Sequence, residues 1–154
     1  MPVFDFEFTL EAPVEAVVEF HRDTRALKDL TPPPMRVQVH RVEPLAEGST
    51  AEFTLWFGPL PIRWEAVHSG VGADGFTDTQ VSGPMRSWRH THRFTPLSEQ
   101  RTQVHEHIEY QHHDGLRGLF SRLLFFRAGL YALFTARKVL TRRHLRGRTS
   151  YSAA

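Results

Sequence analysis

A chain of 154 residues, 40% of them apolar and 23% charged, is long enough to bury one core, so its composition predicts a single globular domain. The chain contains no cysteine, which excludes disulfides and thiolate metal sites and favours a cytoplasmic location. Its start has neither the basic region nor the apolar run of a signal peptide, and Arg122 and Arg127 interrupt its most apolar stretch, so we expect neither export nor a membrane span.

The charges are unevenly distributed along the chain. No acidic residue follows Asp114, and positions 115–154 hold nine of the 19 Lys and Arg residues. A basic end can bind nucleic acid or an anionic membrane, or it can be the solvated face of a helix. Because this end lacks interleaved aromatic residues, we favour the solvated face and expect no nucleic-acid partner. Membrane contact through a basic, disordered C-terminal tail, residues 147–154, is the alternative.

The first third of the chain predicts one strand followed by two short helices. Residues 3–10 alternate between apolar and polar side chains, which is typical of a half-buried strand. Pro13 suits the first position of a helix, and Asp23 can cap a second helix, which must end before Pro32.

Six further strands are predicted between residues 36 and 110. Alternating apolar residues mark the strands, and turn signals such as Gly58-Pro59 and Gly83-Pro84 separate them. Their centres lie at 37–39, 53–57, 62–68, 76–80, 85–94 and 102–110. Asp114-Gly115 then ends the run of strands.

The segment from Leu116 to Leu145 has the length and periodicity of one long amphipathic helix. At about 100° per residue, one face carries the following apolar side chains: Leu116, Leu119, Phe120, Leu123, Leu130, Tyr131 and Phe134. Arg127 projects into the same stripe, and its side chain can either extend to the helix edge or enter a cavity. We expect it to face the sheet and to contact Glu106, Asp78 or a water-filled cavity.

This order of elements predicts an α+β fold. A curved antiparallel sheet of about seven strands would wrap around the long C-terminal helix, with the two short helices after the first strand. We assign residues 1–146 to this domain.

The positions of the turns predict which side chains share the inner face of the sheet. A turn near Ser98 places Phe94 opposite Val104, His92 opposite Glu106, His90 opposite Ile108, and Trp88 opposite Tyr110. A turn at Gly83 brings Asp78 near Trp88 and Phe76 near His90. Five polar groups then point inward, where they must pair, bind a ligand or be hydrated: His68, Asp78, His90, His92 and Glu106.

Two interpretations of the pair His92 and Glu106 are open. The pair can be a cross-strand ion pair that serves only stability. Alternatively, Glu106 fixes the tautomer of His92, which then acts as an acid, a base or a hydrogen-bond donor to a carbonyl ligand. The sequence His90-Thr91-His92 is only a weak metal signal among 10 histidines, so we expect no metal and no cofactor.

Several segments resemble one protein superfamily. They are Phe8 with residues 12–17, residues 76–84 running into 88–94, residues 106–110 and residues 133–137. In these segments, and in the order of its elements, the chain looks like the SRPBCC superfamily, the START and birch-pollen-allergen-like helix-grip proteins. The segments around residues 76–94 are similar to a bacterial branch labelled cyclase/dehydrase or ligand-binding.

The resemblance implies the helix-grip fold and a cavity between sheet and helix. Such a cavity would bind a small, mostly apolar ligand such as a lipid, quinone or polyketide. One alternative is a polyketide cyclase or dehydrase with His92 and Glu106 as catalytic residues, and another is lipid exchange at an anionic membrane through the basic C-terminal end. The expected ligand-binding residues are Phe53, Leu55, Trp64, His68, Asp78, Trp88, His90, His92, Glu106, Ile108, Tyr110, Leu123, Arg127 and Tyr131.

Overall fold

The secondary-structure elements follow one another in the predicted order. A computed structural model describes residues 1–23 and 25–151, with side chains to residue 147. The elements are β1 (Val3–Leu10), α1 (Val14–Arg22), α2 (Ala26–Asp29), β2 (Met35–Val42), β3 (Thr50–Phe57), β4 (Leu60–Gly72), β5 (Gly75–Ser82), β6 (Ser87–Ser98), β7 (Arg101–Gln111), α3 (Gly115–Leu124) and α4 (Arg127–Tyr151).

The seven strands form one antiparallel sheet in the order β1-β7-β6-β5-β4-β3-β2. Each hairpin from β2 to β7 joins neighbouring strands, whereas α1 and α2 carry the chain from one edge strand, β1, to the other, β2. The curved sheet covers the long C-terminal helix with its inner face. The predicted fold class is therefore confirmed.

The predicted register is confirmed between β6 and β7 and shifted between β5 and β6. His92 lies opposite Glu106, as expected, but Asp78 lies opposite His90 instead of Trp88. The loop between β5 and β6 explains the shift, because the Gln80 amide donates to Met85 O at 2.8 Å and moves the centre of the turn beyond Gly83. A shift of two residues leaves every side chain on its predicted face.

The predicted single helix is interrupted at Phe125 and Phe126. In α3 the residues packed against the body are the small ones, Gly118 and Ser121. A Cβ at Gly118 would lie 1.7 Å from His113 O, so only glycine allows this approach. The interruption changes the phase of the apolar stripe, and the expectation that Leu116, Leu119, Phe120 and Leu123 face the sheet is therefore wrong.

The second helix, α4, packs Leu130 and Phe134 on the sheet as expected, whereas Tyr131, expected on the same face, is exposed. Leu130, Phe134, Thr141 and Leu145 are buried. The helix continues to Tyr151, so residues 147–151 of the expected tail are helical, and residues 152–154 lie outside the described residues.

Two arginines fasten α4 to the free edge of β1. Arg127 donates to Val3 O at 3.0 Å, and Arg142 donates to Thr9 O at 2.9 Å. The two arginines are separated by about 22 Å of helix and their acceptors by about 20 Å of strand, so the helix runs alongside the strand. The expected contact of Arg127 with Glu106, Asp78 or a cavity is wrong, because its exposed side chain extends to this edge instead.

The placement of α4 predicts unequal costs for truncating two of its side chains. Phe134 packs against the rings of Phe4 at 5.4 Å, His90 at 5.5 Å and Phe6 at 6.0 Å. We expect Phe134→Ala to lower the free energy of unfolding by about 3–5 kcal/mol. Val139→Ala, at an exposed position of the same helix, should change it by less than about 0.5 kcal/mol. Urea unfolding measures both, and equal effects would mean that α4 is rotated relative to the sheet.

Candidate functional site

A cavity of about 170 Å³ lies between the inner face of the sheet, α2 and α4, and it is partly open to solvent. Most of its wall is apolar and aromatic. Trp64 and Trp88 meet edge to face at 5.5 Å, and Phe125, at the interruption between the helices, lies 6.0 Å from each of them. Leu27 and Leu30 contribute from the region of α2. The walls suit an apolar or aromatic ligand.

One end of the cavity carries a connected cluster of ionisable side chains. His92 Nε2 lies 3.0 Å from Asp78 Oδ2, and His92 Nδ1 lies 2.7 Å from Glu106 Oε2. The second contact is too bent for a hydrogen bond, so it is an ion-pair contact only. His92 thus lies between two carboxylates.

Two further histidines complete the coordination of these carboxylates. His90 Nε2 donates to Glu106 Oε2 at 2.7 Å. His68 Nε2 lies 3.1 Å from Asp78 Oδ1, while its Nδ1 donates to Ser49 O at 3.0 Å. Each carboxylate therefore contacts two imidazoles, which makes its burial tolerable.

Burial and neighbouring charges shift the pKa values of His92 and His90 in opposite directions. Burial opposes the charge of His92, but Glu106 and Asp78 outweigh it and raise its pKa to about 10. Burial and the neighbouring His92 cation lower the pKa of His90. Although burial alone would raise the pKa values of Asp78 and Glu106, their imidazole partners hold both below their usual range. At neutral pH the centre of the cluster is an imidazolium between two carboxylates.

His21, in the last turn of α1, was not predicted as a site residue. Its Nδ1 donates to Val17 O at 2.8 Å, which leaves the Nε2 lone pair available on a side chain that lines the cavity. Burial lowers the pKa of His21 to about 4, a shift that Glu106 opposes and His92 supports. The imidazole is therefore neutral at neutral pH and can accept a hydrogen bond or a proton.

Arg137, on α4, is the arginine that enters the cavity. Its buried Nε has no hydrogen-bond partner among the described residues, and its guanidinium carbon lies 5.1 Å from the centre of the Phe134 ring. Burial lowers its pKa, while Glu106 and Asp78 oppose this shift. Because arginine keeps its charge in proteins, it presents a cation to the cavity. The helical spacing in the sequence could have indicated this position, since Arg137 lies three residues after Phe134 on the same helix face.

The predicted ligand-binding residues fall into three groups. Those that line the cavity are Phe53, Leu55, Trp64, His68, Asp78, Trp88, His90 and His92. Those that are buried on the inner face of the sheet without lining the cavity are Glu106, Ile108 and Tyr110. The three predicted from the helix, Leu123, Arg127 and Tyr131, are exposed and lie away from it.

The cluster also has the spacing of a metal site. Ligand atoms of Asp78, His90 and His92 lie within 4.8 Å of one another. A cation bound there would have to displace the proton that His92 holds between its two carboxylates, which couples metal binding to pH. In the ion-pair network, Asp78 contacts His68 and His92, and His90 contacts Glu106.

Comparisons with known proteins identify the architecture. No protein-family profile matches the chain, and no curated protein matches it. Among solved structures, the Zhui aromatase/cyclase from Streptomyces sp. R1128 superposes with a TM-score of 0.68 at 16% identity, covering 99% of this chain and 96% of that one.

Two plant proteins superpose as well. Ginseng major latex-like protein 151 from Panax ginseng has a TM-score of 0.69 at 11% identity, covering 93% of this chain and 96% of its own. Norcoclaurine synthase from Thalictrum flavum, solved with dopamine and hydroxybenzaldehyde, has a TM-score of 0.65 at 15% identity, covering 93% of this chain and 87% of its own. The resemblance inferred from the sequence is thus confirmed at the level of architecture, and this chain has the helix-grip fold.

Proposed function

We propose that this protein binds a small, mostly apolar ligand in the cavity and holds an oxygen acceptor of that ligand at the polar end. The observation that carries the proposal is the Arg137 guanidinium, which lines the cavity while its buried Nε lacks a hydrogen-bond partner among the described residues. A buried donor without a partner is costly, and a ligand oxygen would satisfy it.

The remaining walls define the class of ligand. Aromatic rings of Phe53, Trp64 and Trp88 favour a flat or aliphatic body, and the cation favours a carbonyl, phenolate or carboxylate. A lipid, a quinone or a polyketide-like molecule has both parts. The aromatase/cyclase and norcoclaurine synthase among the structural neighbours support a ligand of this kind, since the second was solved with two aromatic compounds.

A second candidate function is proton transfer of the cyclase or dehydrase type. It is favoured by a neutral imidazole and an imidazolium whose ring centres lie 6.1 Å apart, because burial keeps His21 uncharged at neutral pH while Glu106 and Asp78 keep His92 charged. His21 Nε2 would accept a proton from the carbon beside a ligand carbonyl, and Arg137 would stabilise the enolate oxygen. In a dehydration, His92, held by Glu106 and Asp78, would give a proton to the ligand hydroxyl, which leaves as water as the carbon–carbon double bond forms, and His21 would pass its proton to solvent.

The first prediction from this proposal concerns Arg137. We expect Arg137→Met to weaken binding of the anionic fluorophore 1-anilinonaphthalene-8-sulfonate by roughly 10- to 100-fold, because the charge-assisted hydrogen bond is lost. Binding of the uncharged 1-aminoanthracene should change little. Arg143→Met removes an exposed charge from the same helix and serves as the control. Fluorescence titration measures all three proteins, and equal affinities of the two variants for the anionic probe would contradict the proposal.

The second prediction concerns the pH dependence of stability. The pKa of His92 is about 10 in the folded chain against an ordinary value of 6.5, so its contribution is complete below pH 6.5 and is lost as the pH rises through 10. We expect the free energy of unfolding to fall by on the order of 4–5 kcal/mol across this range. His92→Gln should show a smaller fall.

Histidine NMR titration tests the same assignment directly in the wild-type protein. His92 should remain an imidazolium at pH 8 while His21 is neutral. A His92 resonance that titrates near pH 6.5 would rule out the assigned charge state, whatever the stability of the variant.

The third prediction tests the enzymatic candidate. In deuterium oxide, the wild-type protein should accelerate deuterium incorporation beside the carbonyl of 2-undecanone, measured by proton NMR. His21→Gln should slow this exchange by roughly 100-fold, as expected on loss of a general base. His105→Gln, on the outer face of the sheet, is the control. Exchange no faster than in buffer would leave binding as the function and eliminate proton transfer.

A further inference from the structure

The first of the two C-terminal helices, α3, has an inverted apolar pattern. Its buried residues are Gly118 and Ser121, whereas four of its five large apolar side chains are exposed and only Leu124 packs against the core. The exposed fractions are 86% for Leu116, 65% for Leu119 and 71% for Leu123. Burying such side chains is worth far more than burying glycine and serine, so this orientation leaves a large apolar surface in water.

The orientation of α3 is fixed by close packing and does not result from a loose attachment. The backbone of His113 approaches Gly118 so closely that no side chain fits there. Ser121 Oγ accepts a hydrogen bond from His112 Nδ1 at 2.8 Å and donates to Gly118 O at 3.1 Å. Rotating the helix to bury its leucines would break these contacts and insert bulky side chains into the gap.

The two charged side chains of α3 are both positive. On a helical projection, Leu116, Leu119, Phe120 and Leu123 span about 100°, and Arg117 and Arg122 lie about 110° to either side of its centre. Both arginines are exposed, and no acidic residue follows Asp114 in the chain. Phe126, 53% exposed, extends the apolar surface beyond the end of the helix.

We propose that this surface, consisting of α3 and Phe126, docks on an anionic lipid membrane. An apolar stripe bordered by arginines is the pattern of a helix that lies in the plane of the lipid headgroups. The leucines and Phe126 enter the acyl boundary, and Arg117 and Arg122 contact the anionic headgroups. This surface is distinct from the C-terminal tail, of which residues 148–154 lie outside the described side chains.

Charge complementarity favours an anionic membrane over a second copy of the chain as the partner of this surface. In a symmetric dimer built on α3, the arginines of one copy would face the arginines of the other, and residues 115–126 contain no carboxylate to pair with them. The nearest carboxylate, that of Asp114, already contacts Arg86 at 3.4 Å. A membrane spanning arrangement is also disfavoured. The stretch Gly115–Gly147 is long and apolar enough by composition, but α4 uses Leu130 and Phe134 in the protein core.

The docking surface lies next to the cavity. Phe125 follows α3 directly and forms part of the cavity wall against Trp64 and Trp88, while its neighbour Phe126 is exposed. Membrane contact would therefore bring the lipid phase to the side of the cavity, from which an apolar ligand could be taken up. The docking proposal itself does not depend on the identity of that ligand.

Vesicle flotation of the full chain tests the proposal. One set of vesicles contains phosphatidylcholine and phosphatidylglycerol in a ratio of about 2:1, and the other contains phosphatidylcholine alone. We expect the wild-type protein to bind the anionic vesicles more tightly than the neutral ones, and to bind them less tightly at high salt. Leu119→Glu/Leu123→Glu should weaken binding to the anionic vesicles by roughly 100-fold. Arg117→Gln/Arg122→Gln should weaken it by roughly 30-fold.

The matched control is Val81→Glu/Leu97→Glu, which introduces the same two charges at exposed apolar positions far from α3 in the sequence. Thermal unfolding followed by circular dichroism establishes that each variant is folded. Failure of the wild-type protein to bind, or equal losses in the control and the α3 variant, would overturn the proposal. The proposal would also be overturned if light scattering showed that the wild-type protein is a dimer that does not bind vesicles, and that the α3 variant is a monomer.

Arg137→Met separates this proposal from the proposed function. It should lose affinity for 1-anilinonaphthalene-8-sulfonate but keep vesicle binding, whereas Leu119→Glu/Leu123→Glu should do the reverse. Loss of vesicle binding in Arg137→Met would mean that membrane contact runs through the cavity and not through α3.

Discussion

A buried imidazolium between two carboxylates organises the inner face of the sheet. His92 contacts Asp78 at 3.0 Å and Glu106 at 2.7 Å, and His68 and His90 satisfy the other positions of these carboxylates. Removing these charges from water is costly, and only their mutual attraction and hydrogen bonds offset the cost. Because the partners stand on β5, β6 and β7, they meet in one register alone. A slip of one residue would turn a whole strand's charges outward and break the pairing.

The strands were predictable because alternation and turns carry most of the information about a sheet. The hairpin near Ser98 gave the correct pairing of His92 with Glu106. The hairpin at Gly83 was displaced by two residues, since the hydrogen bond from Gln80 to Met85 is a tertiary detail that composition does not reveal. An error of two residues preserves the face, so all five inward polar groups were still identified correctly.

The helices were predictable in type but not in rotation. Periodicity assumes one uninterrupted helix, and the interruption at Phe125 and Phe126 gives α3 and α4 independent phases. In α3 the small residue Gly118 determines the buried side, which a search for apolar stripes overlooks. In α4 the error assigned the cavity to Arg127 instead of Arg137. Arg127 instead donates a hydrogen bond to the free edge of β1. That β1 is an edge strand with unpaired backbone groups is known only once the order of the strands is known.

The fold by itself does not separate a structural ion-pair network from a ligand site, so the distinction must rest on the side chains. If the network served only stability, each of its polar atoms would have a partner inside the network. Even then, replacing a buried ion pair by apolar residues of similar volume often leaves a protein at least as stable. The pairs among Asp78, His92 and Glu106 come close to that condition. His21 and Arg137 do not, because both line the same cavity and the described residues leave the Arg137 Nε without a partner. Both groups feel the charges of the network, but neither forms a hydrogen bond with it. Their remaining hydrogen-bonding capacity at one apolar cavity is therefore what our proposal assigns to the oxygen of a bound molecule.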